Sequence, residues 1–239
     1  MDISPSDIGC IDSKSFTIPL VSKTELDILL KMCENSKRMN EFSKCFTGEI
    51  DISLDKKYIR LDSSYHAMLR GAQIQRFYTT NDISQGDILY LDSEQYLAEV
   101  VSPRSRHHLQ SRIVMQGITG VNEKYRLKMT LSEAGAFCAN SVNYLIINKD
   151  VEYFLGLCNS NLINWFFKKL STNSNVNGYE VDNLPIIVAQ DDKKKQLKDI
   201  VKSLLNGFTE YSEDELNAVV YEIYGLTEEE IAVVEATIR

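Results

Sequence analysis

The stretch VEYFLGLCNSNLINWFFKKLS (151–171) runs directly into the polar string STNSNVNGYEVDNLP (171–185), and the contrast between the two sets the architecture. In the first, Phe154, Leu155, Leu157, Leu162, Ile163, Trp165, Phe166 and Phe167 leave almost no polar face. That pattern predicts a long, mostly buried helix, interrupted near Asn159–Asn161, around which other elements must pack. In the second, Asn173, Asn175, Asn177 and Asn183, with Ser171, Thr172, Ser174 and Gly178, predict an irregular polar loop. The following Asn-Leu-Pro reads as a turn into a short strand over 185–189.

Toward the N-terminus the pattern shortens. GEIDISL (48–54), AQIQRFY (72–78), DILYLD (87–92), RIVMQGIT (112–119), YRLKMTL (125–131) and VNYLIIN (142–148) are runs rich in β-branched and aromatic residues, each bounded by turn formers. In 72–78, Ile74, Arg76 and Tyr78 alternate with Gln73, Gln75 and Phe77, as in an antiparallel or mixed sheet with one polar face. The connection over 93–111 exceeds a hairpin loop and is a candidate for function. Ahead of the strands, Ser22 and Glu25 form a capping box for a helix over 23–36. Beyond them, 193–205 carries a stripe at Leu197, Ile200, Val201, Leu204 and Leu205. Two more helices start at the boxes Ser212/Glu215 and Thr227/Glu230. The expected fold is α+β (mixed α/β) and sheet-centred, with an N-terminal helix, a long buried helix near 151–171 and a C-terminal helical segment. The expected division is a lead-in over 1–22, a main domain over 23–190 and a helical spacer or docking segment over 191–239.

Composition bounds the class. With 239 residues, 44% hydrophobic and 25% charged, the chain can bury a real core and is neither a disordered tail nor a rod. No apolar run reaches the roughly 18 residues that a membrane span needs. The N-terminal stretch shows no basic-then-apolar leader. A net charge of −8 argues at first against a nucleic-acid partner. Position reverses that inference. Residues 180–239 hold fourteen acids against six bases, and residues 1–179 are neutral. Seven of the nine arginines fall between positions 60 and 126. Most of the acidic surplus sits at helix starts, where the dipole favours it.

Little in the sequence suggests catalysis. The five cysteines are scattered without a CxxC pair, which argues against zinc and disulfides and for a reducing cytoplasm. None of HExxH, GxSxG, GxxxxGK[ST] or GxGxxG occurs. The adjacent His107 and His108 would point to opposite faces of a strand, a poor metal site, so a nuclease built on them is a minor alternative. No metal site is expected.

Two stretches suit polar recognition. SPRSRHHLQSRIVMQGITGVNEKYRLK (102–128) interleaves Arg104, Arg106, His107, Arg112, Lys124 and Arg126 with Gln116 and Asn122. Arginine donates bidentately to guanine, Asn and Gln pair with adenine, and all of them contact phosphate. A solvated strand face with charged loops is the competing reading. The second is the loop carrying Ser171, Thr172, Asn173 and Asn175, whose short polar groups suit phosphates or base edges. Ordinary turn chemistry is its competitor.

MLRGAQIQRFY, QSRIVMQGITG, FCANSVNYLI, LCNSNLINWFFKKLSTNSNVNGYEVDNLPI and LNAVVYEIYGLTEEE, in that order, resemble the target-recognition region of adenine-specific DNA methyltransferases of type II restriction–modification systems, including fused restriction–methylation enzymes. The family is the TaqI-like C-terminal specificity domain, and the resemblance runs from about Leu26 to Glu235. It implies a mixed α/β module that reads bases in the major groove of duplex DNA while a catalytic domain flips and methylates an adenine. Arg70 and Arg76, within the first motif, would brace structure or backbone. The chain carries no Asn-Pro-Pro-Tyr/Phe motif, no glycine-rich loop for S-adenosylmethionine and no Pro-Asp…Glu-x-Lys core. The resemblance therefore implies a non-catalytic fragment or separate specificity subunit without its own cofactor, partnered by duplex DNA and by a methyltransferase domain in cis or in trans. The S-adenosylmethionine would belong to that catalytic domain. A protein-interaction module that docks a catalytic subunit through the acidic helical segment is the alternative.

Overall fold

The computed structural model describes residues 3–12, 14–83, 86–208 and 210–238. Its helices are α1 (Pro5–Ile11), α2 (Lys23–Cys33), α3 (Ser93–Glu99), α4 (Val151–Asn159), α5 (Asn161–Leu170), α6 (Gly178–Asp182), α7 (Asp191–Leu205), α8 (Glu213–Ile223) and α9 (Glu228–Ile238). Its strands are β1 (Lys37–Arg38), β2 (Cys45–Thr47), β3 (Ile59–Arg60), β4 (His66–Leu69), β5 (Tyr90–Leu91), β6 (Arg112–Gln116), β7 (Met129–Ser132), β8 (Phe137–Cys138), β9 (Val142–Leu145) and β10 (Pro185–Ile186). The fold is α+β.

The central sheet has the order β2-β9-β6-β7 and is antiparallel throughout, with Ile113 opposite Leu145 and Leu131. Alternate side chains leave its two faces, and both faces are covered. Cys45, Ile113, Met115, Met129 and Leu145 join the main core with the helices. Val114, Val142 and Tyr144 instead pack with Ile74 and Cys138 and with the half-buried Phe46 and Leu69. A second sheet, β3-β5-β4-β8, lies on that side; its β4–β8 pair is parallel and the other pairings are antiparallel. It shares a small core, Tyr58, Met68, Leu91 and Phe137, with Tyr96 of α3. Where the chain leaves β2 it crosses the backbone after β8 so closely that a Cβ on Gly48 would sit 2.0 Å from the Ala139 carbonyl oxygen. A third, two-stranded ladder pairs β1 with β10.

The expected long helix is two. Ser160 takes extended angles (φ −65°, ψ 154°) and its hydroxyl accepts from the Ile163 N–H, capping α5 where α4 ends. α7 lies against α4 at Gly156, where a Cβ would stand 2.8 Å from Val201 Cγ2. Leu197, Ile200, Val201, Leu216, Val219, Val220, Val234 and Ile238 fall in the same core as α2, α4 and α5. Most of the apolar stripes of 191–239 are thus buried within the chain, with Leu204, Leu205 and Ile223 half-buried against it. Ile11 of α1 joins that core too, so 1–22 contains a packed helix.

Two strand expectations shift, and the long connection proves to be structured. Residues 72–78 form a helical turn and a loop in which Phe77 adopts φ 69°, because Arg76 is drawn inward onto Glu213, the Asn159 carbonyl and the Tyr125 ring. The strand expected at 48–54 lies earlier, as β2, since the Asp51 carboxylate accepts from the Ser53 and Leu54 N–H groups and turns the chain. The 93–111 connection holds α3 and a 3₁₀ segment, Pro103–Leu109, capped by the Ser102 hydroxyl.

Candidate nucleic-acid interface

The residues singled out from the sequence separate into groups at the two ends of β6, whose five residues span about 16 Å. At its start lie Arg104, Arg106 and His107, in the Pro103–Leu109 segment. At its far end the loop 117–126, with Asn122, Lys124 and Arg126, meets the loop 171–177, with Ser171, Thr172, Asn173 and Asn175. Two main-chain hydrogen bonds join these loops: the Thr119 N–H donates to the Ser174 carbonyl (2.8 Å) and the Val176 N–H donates to the Gly117 carbonyl (2.9 Å), which together make Ile118 and Asn175 an antiparallel bridge.

Two of the candidates, Arg112 and Gln116, are internal and a third, His107, is half-buried, which corrects their assignment as surface contacts. Arg112 has no exposed side chain; it is ion-paired with Glu49 at 2.9 Å, bonded to the Ala136 carbonyl, and stacked 4.4 Å from the Tyr144 ring centroid. Gln116 is buried and donates to the Ile74 carbonyl at 2.7 Å. His107 is half-buried, with Nδ1 2.9 Å from the Tyr144 hydroxyl. Burial, and then the Arg112 and Arg104 charges, hold its pKa below the ordinary value, so near neutral pH it presents no cation to phosphate. His108 is stacked on Phe137, with Nδ1 2.6 Å from the Ser105 carbonyl.

Arg126 is also buried, at 1% exposure, yet it builds the surface above it. Its Nε donates to Thr119 Oγ1 (2.8 Å), and its Nη2 to the carbonyls of Asn173 (2.7 Å) and Asn175 (3.3 Å), latching the two loops together. No carboxylate lies within ion-pair distance of it among the described residues. Lys168 is a second cation held without an acid, donating to the Glu123 and Lys124 carbonyls. Burial first, then the Arg126 and Lys169 charges, lower its pKa, which registers a locally positive field.

Above this base stand exposed side chains: Ile118, Val121, Asn122, Lys124, Thr172, Asn173 and Asn175. The Asn173 oxygen accepts from the Asn175 N–H, which is turn chemistry, so the two asparagines differ in role. Arg104 and Arg106 are exposed at the other end of the strand, without a carboxylate partner among the described residues.

Sequence reasoning missed the residues that hold these loops from beneath. Asn164, fully buried in α5, accepts from the Arg126 and Leu127 N–H groups and donates to the Lys124 carbonyl. Asn159 exchanges two bonds with the Met129 main chain, and Asn143 donates to the Val176 carbonyl. The signal was available: a lone amide inside an apolar run such as LINWFF must find partners once buried.

The arrangement of exposed amides, cations and apolar groups is suited to binding. Among the described residues no group of three or more His, Cys, Asp and Glu is placed to hold a metal ion. Burial pushes the Cys138 and Cys158 thiols up to about 12, so neither is a nucleophile near neutral pH. No helix among the described residues is long and apolar enough to cross a membrane.

Residues 51–186 match the family model described as the TaqI-like C-terminal specificity domain. No curated protein matches the chain in sequence. Among solved structures, the type IIL restriction–modification enzyme MmeI in complex with DNA is similar, at 10% identity and a TM-score of 0.50, over 85% of this chain and 34% of MmeI. The type IIG restriction endonuclease BpuSI is similar at 11% identity and a TM-score of 0.50, over 85% of this chain and 34% of BpuSI. At such identities the likeness is one of fold, and the chain spans about a third of the length of either enzyme.

Proposed function

Because this chain belongs to the TaqI-like C-terminal specificity domain family, we propose that it reads a sequence in duplex DNA through the ridge formed by loops 117–126 and 171–177. The observation that carries this reading is the Arg126 latch: two loops fixed to one another by a buried guanidinium with no carboxylate in ion-pair distance among the described residues, and exposed amides and Lys124 on top. Base reading needs rigid, outward-facing amide and apolar groups, and phosphate contact needs cations free of carboxylates. Lys124 supplies the second at the ridge, and Arg104 and Arg106 supply it from the start of β6. The chain itself catalyses nothing. Adenine methylation with S-adenosylmethionine belongs, in this reading, to a catalytic domain acting in cis or in trans, to which this chain delivers the site.

The test is duplex binding by the full chain across a salt series. Log affinity is expected to fall linearly with log salt, and Lys124→Ala to make the slope shallower by about one while weakening all sequences alike. The absence of any duplex affinity at low salt would falsify the reading.

A further inference from the structure

Ile118 and Asn175 are the opposed residues of an isolated antiparallel bridge at the crest of the ridge. Residues so opposed project from the same side, with their Cβ atoms about 4.5–5.5 Å apart. Ile118 is 61% exposed. Asn175 is exposed too, and although its main chain is engaged by Asn173 and Arg126, its side-chain amide meets no partner among the described residues. The backbone beneath both is fixed: the Gly117 N–H donates to the Ser141 carbonyl (2.8 Å), and Thr119 and Val176 bond across on either side. The result is an apolar group and a free amide held side by side on a rigid support and turned outward.

In the major groove an adenine offers N7 as acceptor and N6 as donor, and the thymine paired with it offers a C5-methyl group. An amide satisfies the first and a branched aliphatic side chain the second. We infer that the Ile118–Asn175 pair reads one A·T base pair, resting on the assignment of this ridge as the DNA interface. Asn175 Nδ2 donates to adenine N7, Asn175 Oδ1 accepts from adenine N6, and the Ile118 side chain packs on the thymine methyl. Guanine is met by arginine or lysine; neither member of this pair is one, and Arg126 is buried beneath them.

The experiment selects duplexes from a random pool with the full chain. A selected duplex is then titrated with each thymine in turn replaced by deoxyuridine, which pairs identically but lacks the methyl. At one position wild-type affinity is expected to fall roughly four-fold, the worth of one buried methyl-sized group. Ile118→Ala is expected to be indifferent to the same replacement, and Ile118→Val, which keeps the branch at Cβ and both γ carbons, to remain sensitive. Replacing the paired adenine with 7-deazaadenine is expected to weaken wild type and to leave Asn175→Ala unchanged. Salt-sensitive, selective binding with no thymine sensitive to methyl removal overturns the inference and leaves the interface standing. A chain with no duplex affinity overturns both.

Discussion

Glu49 and Arg112 lie between the two four-stranded sheets with neither side chain exposed, joined at 2.9 Å. An ion pair there is costly to create and more costly to break, because the survivor keeps its charge in a medium that cannot solvate it. Glu49→Gln is expected to lower stability by about 3–5 kcal/mol, measured by urea denaturation; a loss of under about 1 kcal/mol would show that the pair is dispensable. Arg112 also marks a limit of sequence reading at this scale. RIVMQ begins and ends with a polar residue, as an exposed strand would, yet all five are buried. The polarity of its ends is answered by partners far along the chain, Glu49 and the Ile74 carbonyl, which no local spacing reveals. Asn173 and Asn175 were both legible as residues of a polar loop; what separates them is one bond from the Asn175 N–H to the Asn173 side chain, visible only in three dimensions.

Among the elements, the capped helices and strands β6, β7 and β9 of the central sheet were legible, and the shortest strands were not. The boxes at Ser22/Glu25, Ser212/Glu215 and Thr227/Glu230 all form, since a cap needs only residues three apart. β4 and β8 escaped, because each is short and their parallel pairing joins Met68 to Phe137. The crossing that permits this pairing is tested at Gly48. A methyl group there meets a carbonyl oxygen at 2.0 Å, and since both sides are backbone, one chain must move. Gly48→Ala is expected to destabilise by about 3 kcal/mol or more, and to do so by separating the second sheet from the first. Hydrogen exchange resolved by residue measures this: protection should fall first over 66–69 and 137–139, and a uniform loss over the whole chain would contradict the account.

For the molecule as a whole, the helices after Gln190 determine whether the rest can stand. They cover α4 and α5, and through Glu213 they bind Arg76, which shapes the 71–83 loop. A chain ending at Gln190 would expose the faces of α4 and α5 that Leu197, Val201 and Leu216 now cover. It is expected to lack a cooperative thermal transition, followed by circular dichroism; a sharp transition in the truncated chain would make 191–239 an appendage after all. Net charge is a poor guide at this scale because it averages the helix-start acids of α8 and α9 with the rest of the chain.

The latch beneath that ridge grips main chain. The bonds that reach across to positions 173–175 come from Arg126 and the Thr119 N–H, and they end on carbonyl oxygens. A carbonyl is present whatever side chain its residue bears. The outward groups at 118, 122 and 175 can therefore be exchanged one at a time while the support beneath them stays the same, much as type is reset in a fixed frame. If the ridge reads sequence as proposed, single substitutions there can change its preference without costing the fold.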